Sequence, residues 1–319
     1  LVNNSGYVID EINATVFSGK NSLYGLFQSH IPNQIIKGAL ELNDNKNFIV
    51  RTDISIDMST LIDSNRYFDI SGYEIFNTVM TISKDKTSMK LLSNLINTKI
   101  LSSINELKKE TNEILKTQIF IDNISEPIYE IKNNNIESLI DSRGYGFFSF
   151  GKGFEEAIKK NEHKNGFYVY LGLNEIDLDN IFFDSSDSDN SLLRSIKMKS
   201  KKFNFFNNTY VNQYFDVTFK NETIVKMIGE SLNGSINIDQ TNFIKIHLNN
   251  TEFDFNGIDL TQSNLPSDIN NISLRFIGKN IRTDGDIIQD IDFYLLRNKN
   301  VLTIDNININ SQRLKICLL

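Results

Sequence analysis

The stretch that most suggests chemistry is Gly146-Phe147-Phe148-Ser149-Phe150-Gly151-Lys152-Gly153. Its Gly and Gly-Lys spacing is that of a phosphate-binding loop. Such a loop cradles phosphates in backbone N–H groups and holds magnesium through the Ser or Thr after the Lys. Here Gly153 stands where that hydroxyl is needed, and Phe residues fill the part that should be glycine-rich. The stretch reads as a strand ending in a glycine turn. Asp184, Asp187 and Asp189 suggest a calcium loop, which needs Gly at its sixth position and Glu at its twelfth. Counted from Asp184, those positions hold Asp189 and Ser195, so the segment reads as a solvated acidic loop.

His30, His163 and His247 are far apart, and neither HExxH nor GxSxG occurs. Each His is expected on the surface or on a strand face, His247 on the polar face of a strand. Acidic pairs are many but unpatterned, so no glycosidase-type dyad stands out. Cys317, the single Cys, has nothing beside it to activate a thiolate. One Cys also excludes a disulfide framework and a Cys-based zinc site. The residues therefore predict no catalytic group, no metal site and no cofactor.

Composition narrows the class. The 319 residues carry 33 Lys+Arg against 40 Asp+Glu, a net charge of −7. Without a basic cluster this is a poor nucleic-acid binder, because phosphate neutralisation supplies most of that affinity. No run approaches the roughly 18 apolar residues of a membrane-spanning helix. With 40% hydrophobic residues the chain can bury apolar surface. It has 45 Ile, 43 Asn and three Ala. Scarce Ala with abundant Ile and Phe favours strands over helices. An AT-rich genome supplies the same bias, so composition reports on both fold and genome.

The elements that would position any site are strands. Ile54, Ile56 and Met58 alternate with Asp53, Ser55 and Asp57. Ile244, Ile246 and Leu248 alternate with Lys245 and His247. Ile272, Leu274 and Phe276 alternate with Asn271, Ser273 and Arg275, and Ile291, Phe293 and Leu295 with Asp290, Asp292 and Tyr294. Period two marks strands with one apolar and one polar face, as in antiparallel sheets. Asn- and Asp-rich turn signals fall between them, at Asn43-Asp44-Asn45, Asn133-Asn134-Asn135, Asn249-Asn250 and Asp284-Gly285, and are read as strand ends. Helical signal is thin: Leu101 to Leu115 suits a short helix or a loop, and Phe154 to Asn161 a short helix. The polar run Asp184 to Asn190 is the expected linker, dividing the chain into 1–183, 184–190 and 191–319. Because the chain starts at Leu1 and ends at Leu319 without a natural-looking terminus, it reads as a segment of a longer protein. The apolar face must be buried against something. A second sheet would make a sandwich or barrel; an open groove would offer a long apolar surface to an apolar ligand.

Three stretches together resemble the YhdP-like branch of the AsmA-like proteins. Asn13 to Ala39 and Phe68 to Ile104 are similar in order to that family's Gly-containing and hydrophobic strands, with Ser93-Asn94-Leu95-Ile96-Asn97 at its conserved block. Arg143 to Phe182, ending in Gly166-Phe-Tyr-Val-Tyr-Leu-Gly-Leu-Asn-Glu-Ile-Asp-Leu-Asp, resembles a second family segment, with Ile181 or Phe182 where Trp is usual. Gly234 to Ile316 resembles a third, through Ile244-Lys-Ile-His-Leu, Leu265-Pro266, Ile272-Ser-Leu-Arg-Phe, Asp284-Gly285 and Ile291-Asp-Phe-Tyr-Leu.

The resemblance implies a mostly β fold: a long, bent antiparallel sheet, a β-taco around an open apolar groove, with one or two short helices. It implies a segment of a periplasm-spanning protein, anchored in the inner membrane elsewhere in its chain, that moves phospholipid between inner and outer membrane. The partners would be phospholipid acyl chains and the two membranes. The apolar-parity residues Ile54, Ile56, Met58, Ile272, Leu274, Phe276, Ile291, Phe293 and Leu295 are then candidates for the groove wall. The bland reading is that they fill a closed core. The competing function is a β-rich structural or adhesion module; an enzyme of unrecognised type is least favoured.

Overall fold

Alternation of apolar and polar residues becomes strand nearly everywhere. The computed structural model describes residues 10–19, 23–31, 34–42, 46–60, 68–102, 104–160, 163–177, 192–205, 208–241, 243–253, 271–283, 286–298, 301–311 and 315–317. The chain divides into two units, Leu1–Ser149 and Phe150–Leu319. The linker expected at 184–190 lies outside the described residues.

The first unit contains β1 (Asp10–Ser18), β2 (Leu23–Ile31), β3 (Gln34–Leu42), β4 (Phe48–Asp57), β5 (Phe68–Ser71), β6 (Tyr73–Ile82), β7 (Thr87–Ser93), β8 (Lys99–Ser102), β9 (Thr117–Asp122), β10 (Ile128–Lys132) and β11 (Ile136–Asp141). All pairings among them are antiparallel, in the order β1-β2-β3-β4-β6-β7-β9-β10-β11. Strands β5 and β8 pair separately as a two-stranded sheet. Strand β12 (Gly146–Phe150) meets the unit boundary, so the phosphate-loop-like stretch is a strand followed by a glycine turn. The turn uses glycine's freedom at Gly151 and Gly153, with φ of 74° and 101°.

Among the described residues the second unit contains one helix, α1 (Glu155–Lys160), and then β13 (Phe167–Asp177), β14 (Leu193–Phe205), β15 (Asn208–Phe219), β16 (Thr223–Ile228), β17 (Gly234–Ile238), β18 (Phe243–Asn249), β19 (Asn271–Thr283), β20 (Asp286–Asn298), β21 (Val301–Ser311) and β22 (Lys315–Cys317). Each of these strands pairs with its successor. The protein is thus mostly β, built on a long sheet that, among the described residues, does not close.

The sheet is mixed rather than purely antiparallel. β13–β14 and β18–β19 are parallel. Both follow long connections, residues 178–192 and 250–270. A parallel return needs a dozen or more residues, whereas a hairpin needs about two, and both connections are long enough for it. The segment 101–115 is not an α-helix. It holds the end of β8 and a single 3-10 turn, Asn105–Leu107.

In the first unit one end of the apolar face is covered. Met58, Ile70, Phe76, Leu91 and Leu95 form a buried cluster, with Ile100 and Leu115 against it. Thus β5, β8 and the adjoining loops lie over β4, β6, β7 and β9. Burying a side chain such as Phe76 contributes roughly 1.5–3 kcal/mol. A carboxylate shares this covered end. Glu74 is 3% exposed, whereas Ile75 beside it is 59% exposed. Glu74 accepts hydrogen bonds from Ser93 Oγ at 2.9 Å, the Asn97 N–H at 2.9 Å and Thr98 Oγ1 at 3.2 Å. These donors offset its desolvation. Lys109, also buried, donates to the carbonyls of Thr98 at 2.6 Å and Glu110 at 3.0 Å, so the same loop is held from both sides.

In the second unit the strands bend without ending. Asn212, Asn280 and Asn306 lie inside strands at φ of 52°, 51° and 52°, and Asn250 follows β18 at 49°. The left-handed region costs most L-residues roughly 1–2 kcal/mol, and Asn tolerates it best after Gly. Each such residue restarts the alternation. Gly278 and Ile281 are three apart yet both buried, as are Leu248 and Thr251, and Tyr210 and Gln213. The kinks are tied laterally, since Asn280 Nδ2 donates to Asn250 Oδ1 at 3.1 Å. Replacing Asn280 tests this backbone requirement. Asn280→Gly should leave stability within about 0.5 kcal/mol of the parent in urea unfolding, while Asn280→Val should cost about 1–2 kcal/mol. Equal effects of the two would remove the requirement.

Candidate functional site

The nine candidate groove residues fall into two places, one in each unit. In the first, Ile54 is half-buried opposite Phe76, Ile56 packs on the covered cluster, and Met58 is buried within it. Met58 is held in the 3-10 turn after β4 by its N–H, which donates to the Gly72 carbonyl at 2.8 Å.

In the second, register places the candidates side by side on β19 and β20. Leu274 pairs with Leu295 and Phe276 with Phe293, while Ile291 stands opposite Gly278. The Phe276 and Phe293 rings stack at 5.2 Å. Gly278 leaves the space that Ile291 fills, because a Cβ there would come within 2.7 Å of Ile291 Cγ2. Ile272 pairs through the backbone with Arg297.

The register carries this face much further than β19 and β20. Cross-strand partners stand on the same face about 4.5–5.5 Å apart. Val169, Ile196, Val217, Val225, Ile236, Ile246, Phe276 and Phe293 are successive partners across eight strands. A parallel row runs Leu171, Met198, Phe215, Met227, Gly234, Leu248, Gly278, Ile291 and Ile309. A shorter third row joins Ile238, Ile244, Leu274, Leu295 and Ile304.

Burial is graded across these rows. Beyond the kinks, Phe203, Tyr210, Leu232 and Ile281 are almost fully buried. In the long second row Phe215, Met227, Leu248 and Ile291 are buried. In the first-named row every residue but Phe276 is only half-buried, and Ile304 is exposed. The face has a sealed base and a half-open wall.

The opposite face is polar and electrostatically paired. Lys197, Asp216 and Lys226 are successive partners. Arg275 donates to both Asp292 oxygens, at 3.1 and 2.8 Å, and lies over the Tyr294 ring. His247 stands on this polar face as its strand position predicts, and burial holds its imidazole below the ordinary pKa.

Sequence reading missed β14, β15 and β16, whose alternating pairs Ile196/Met198, Phe215/Val217 and Val225/Met227 were present to be read. It also missed what distance in sequence conceals, such as Glu74 with Ser93 and Thr98. In the first unit a cleft of about 700 Å³ opens beside Asp53, Ile75, Asn77, Leu92, Lys116 and Lys132. Among the described residues no group of three or more His, Cys, Asp and Glu side chains is placed to hold a metal ion. Area and amphipathicity are what the large face offers. No protein-family model, characterised protein or solved structure matches the chain.

His163 is buried rather than surface-bound, with Nε2 3.2 Å from the Tyr170 hydroxyl and its ring edge-on to Tyr168 and Tyr170. Burial lowers its pKa below the ordinary 6.5. The unfolded chain therefore takes up this proton at higher pH than the folded one. The stability linked to neutral His163 is complete above 6.5 and lost as pH falls below it. His163→Asn, which tolerates the residue's φ of 51°, should remove that component. The stability difference between parent and variant should shrink from pH 7.5 to 5 by at most ~1.4 kcal/mol per pH unit. Parallel unfolding curves across this range would refute the assignment.

Proposed function

We propose that the apolar face of the second unit receives phospholipid acyl chains and that the chain is a section of a lipid conduit. The observation that carries this reading is the continuity of apolar rows over eight strands with a wall left half-buried. Eight strands at about 4.8 Å spacing extend roughly 35 Å. An acyl chain of about 16 carbons costs roughly 13 kcal/mol to expose to water, at about 0.8 kcal/mol per methylene. A surface that is apolar from one strand to the next removes that barrier stepwise, while the head group stays wet. Such a path needs no nucleophile and no cofactor. The resemblance to the YhdP-like branch points the same way. On that reading the segment works in the periplasm, within a protein anchored in the inner membrane, and carries lipid between the two membranes.

A second reading, a β-rich interaction module without lipid transfer, is favoured by the first unit. There Ile56 and Met58 belong to a covered core. Photo-crosslinking separates the two. A benzophenone residue at Phe276 or Phe293 should crosslink to phospholipid in the membrane-bound full-length protein. The same probe at Arg275 or Asp292, on the opposite face, should give several-fold less. Equal yields from both faces would rule out the conduit.

A further inference from the structure

We propose that the polar face of the second unit holds a binding site for a phosphate-class dianion. The site is a cleft of about 700 Å³ where α1 and the Gly151–Gly153 turn stand beside β13, β14 and β15. Its charged lining is Lys160, Lys197, Lys199 and Glu156. Three ammonium groups line the cleft with Glu156, while Asp216 stands beside Lys197 and Glu155 beside Lys199, in a chain that carries −7 overall.

The placement follows from the register. Lys197 and Lys199 alternate onto one face of β14, and their cross-strand neighbours are Tyr170, Gly172, Asp216 and Tyr214. None of the three cations is fully neutralised. Lys199 Nζ donates to the Gly153 carbonyl at 2.7 Å and lies 4.9 Å from the Phe154 ring centre. Lys197 stands 4.0 Å from Asp216, the outer limit of an ion pair, and the Lys160–Glu156 pair at 3.8 Å is almost wholly solvated. An ammonium has three protons to donate, so donors remain for a ligand.

Two further features fit an oxyanion. The Gly153 N–H already donates to both Glu155 carboxylate oxygens at 3.1 Å. The Glu155 backbone N–H, then that of Gly153, with the charges of Lys199 and Lys152, hold that carboxyl below its usual range. This corner therefore already stabilises one anion. Tyr214 also lines the cleft, and its phenol is a hydroxyl donor at neutral pH. Lysine binds phosphate as a compact point charge, and the phenol adds a directed hydrogen-bond donor.

The cleft lies on the face opposite the apolar rows, so the inference stands independently of the acyl-chain reading. Calorimetry of the full chain with inorganic phosphate and with phenyl phosphate tests it. Saturable binding is expected, weakened about tenfold by Lys197→Gln or Lys199→Gln and retained in Lys197→Arg. Lys201→Gln removes the same charge from β14 outside the cleft and should change affinity less than twofold. Flotation with phosphatidic acid vesicles distinguishes the source. Vesicle binding that soluble phosphate competes away and Lys199→Gln abolishes assigns a lipid head group; soluble binding without flotation assigns a free phosphate monoester. Absence of saturable phosphate binding, or an equal loss in Lys201→Gln, would overturn the site.

Discussion

The constraint on which the rest depends is register. Strand side chains alternate with a period of two, so a slip of one residue in any pair sends a whole strand's apolar set to the polar face. In the second unit nine successive pairings keep apolar opposite apolar, through seven antiparallel and two parallel pairs. The first unit obeys the same rule, with Leu40, Val50, Met80, Met89, Ile121, Tyr129 and Ile140 as successive partners. The polar face helps to hold that register. Arg275–Asp292 is bidentate and joins β19 to β20 one step from the Phe276–Phe293 stack. A slip would cost both the ion pair and the ring contact.

Asparagine gives this sheet a second degree of freedom. A strand that only alternates has no means of bending sharply without interrupting its apolar face. The left-handed residues Asn212 and Asn280 supply the bend and restart the alternation, so Tyr210 and Gln213, and Gly278 and Ile281, remain buried on either side. Asn250 does the same where β18 ends. The abundance of Asn thus acquires structural work in at least these positions. Beyond the kinks the base is sealed by Phe203, Tyr210, Leu232 and Ile281; before them the wall stays half-open.

The class of fold was legible because period two survives compositional bias: bias chooses Ile over Val, but it does not arrange Ile at every second place. What was not legible has specific causes. Parallel pairing at β13–β14 and β18–β19 depends on where a strand lands after a long connection, which alternation does not record. Asn-rich pairs mark ends and kinks alike, because both use the same backbone region. Glu74 and Ile75 exchange the places their polarity suggests, since Ser93, Asn97 and Thr98 converge on the carboxylate only after folding. In the second unit the sequence candidates Ile272, Leu274, Phe276, Ile291, Phe293 and Leu295 all lie on β19 and β20. Extending them to β14, β15 and β16 needed the alternation present in Ile196/Met198, Phe215/Val217 and Val225/Met227, and also the pairing partners that put those residues on one face.

The contrast between the two units bears on what the apolar face is for. In the first, β5 and β8 cover part of it, and Phe76 and Leu91 are sealed beneath them. The cover shows how a short two-stranded sheet can bury such a face. In the second unit Val217, Val225, Ile236, Ile246 and Phe293 remain half-buried. Folding free energy alone favours sealing them, at roughly 25 cal/mol for each Å² of apolar surface removed from water. Soluble monomers rarely leave extended contiguous apolar surface uncovered, and where they do it marks a ligand groove, a membrane contact or a partner. A partner protein would need apolar groups matched to a particular pattern of side chains. The proposed acyl-chain occupant would need only continuity, and continuity across the strands is the property that the pairings preserve.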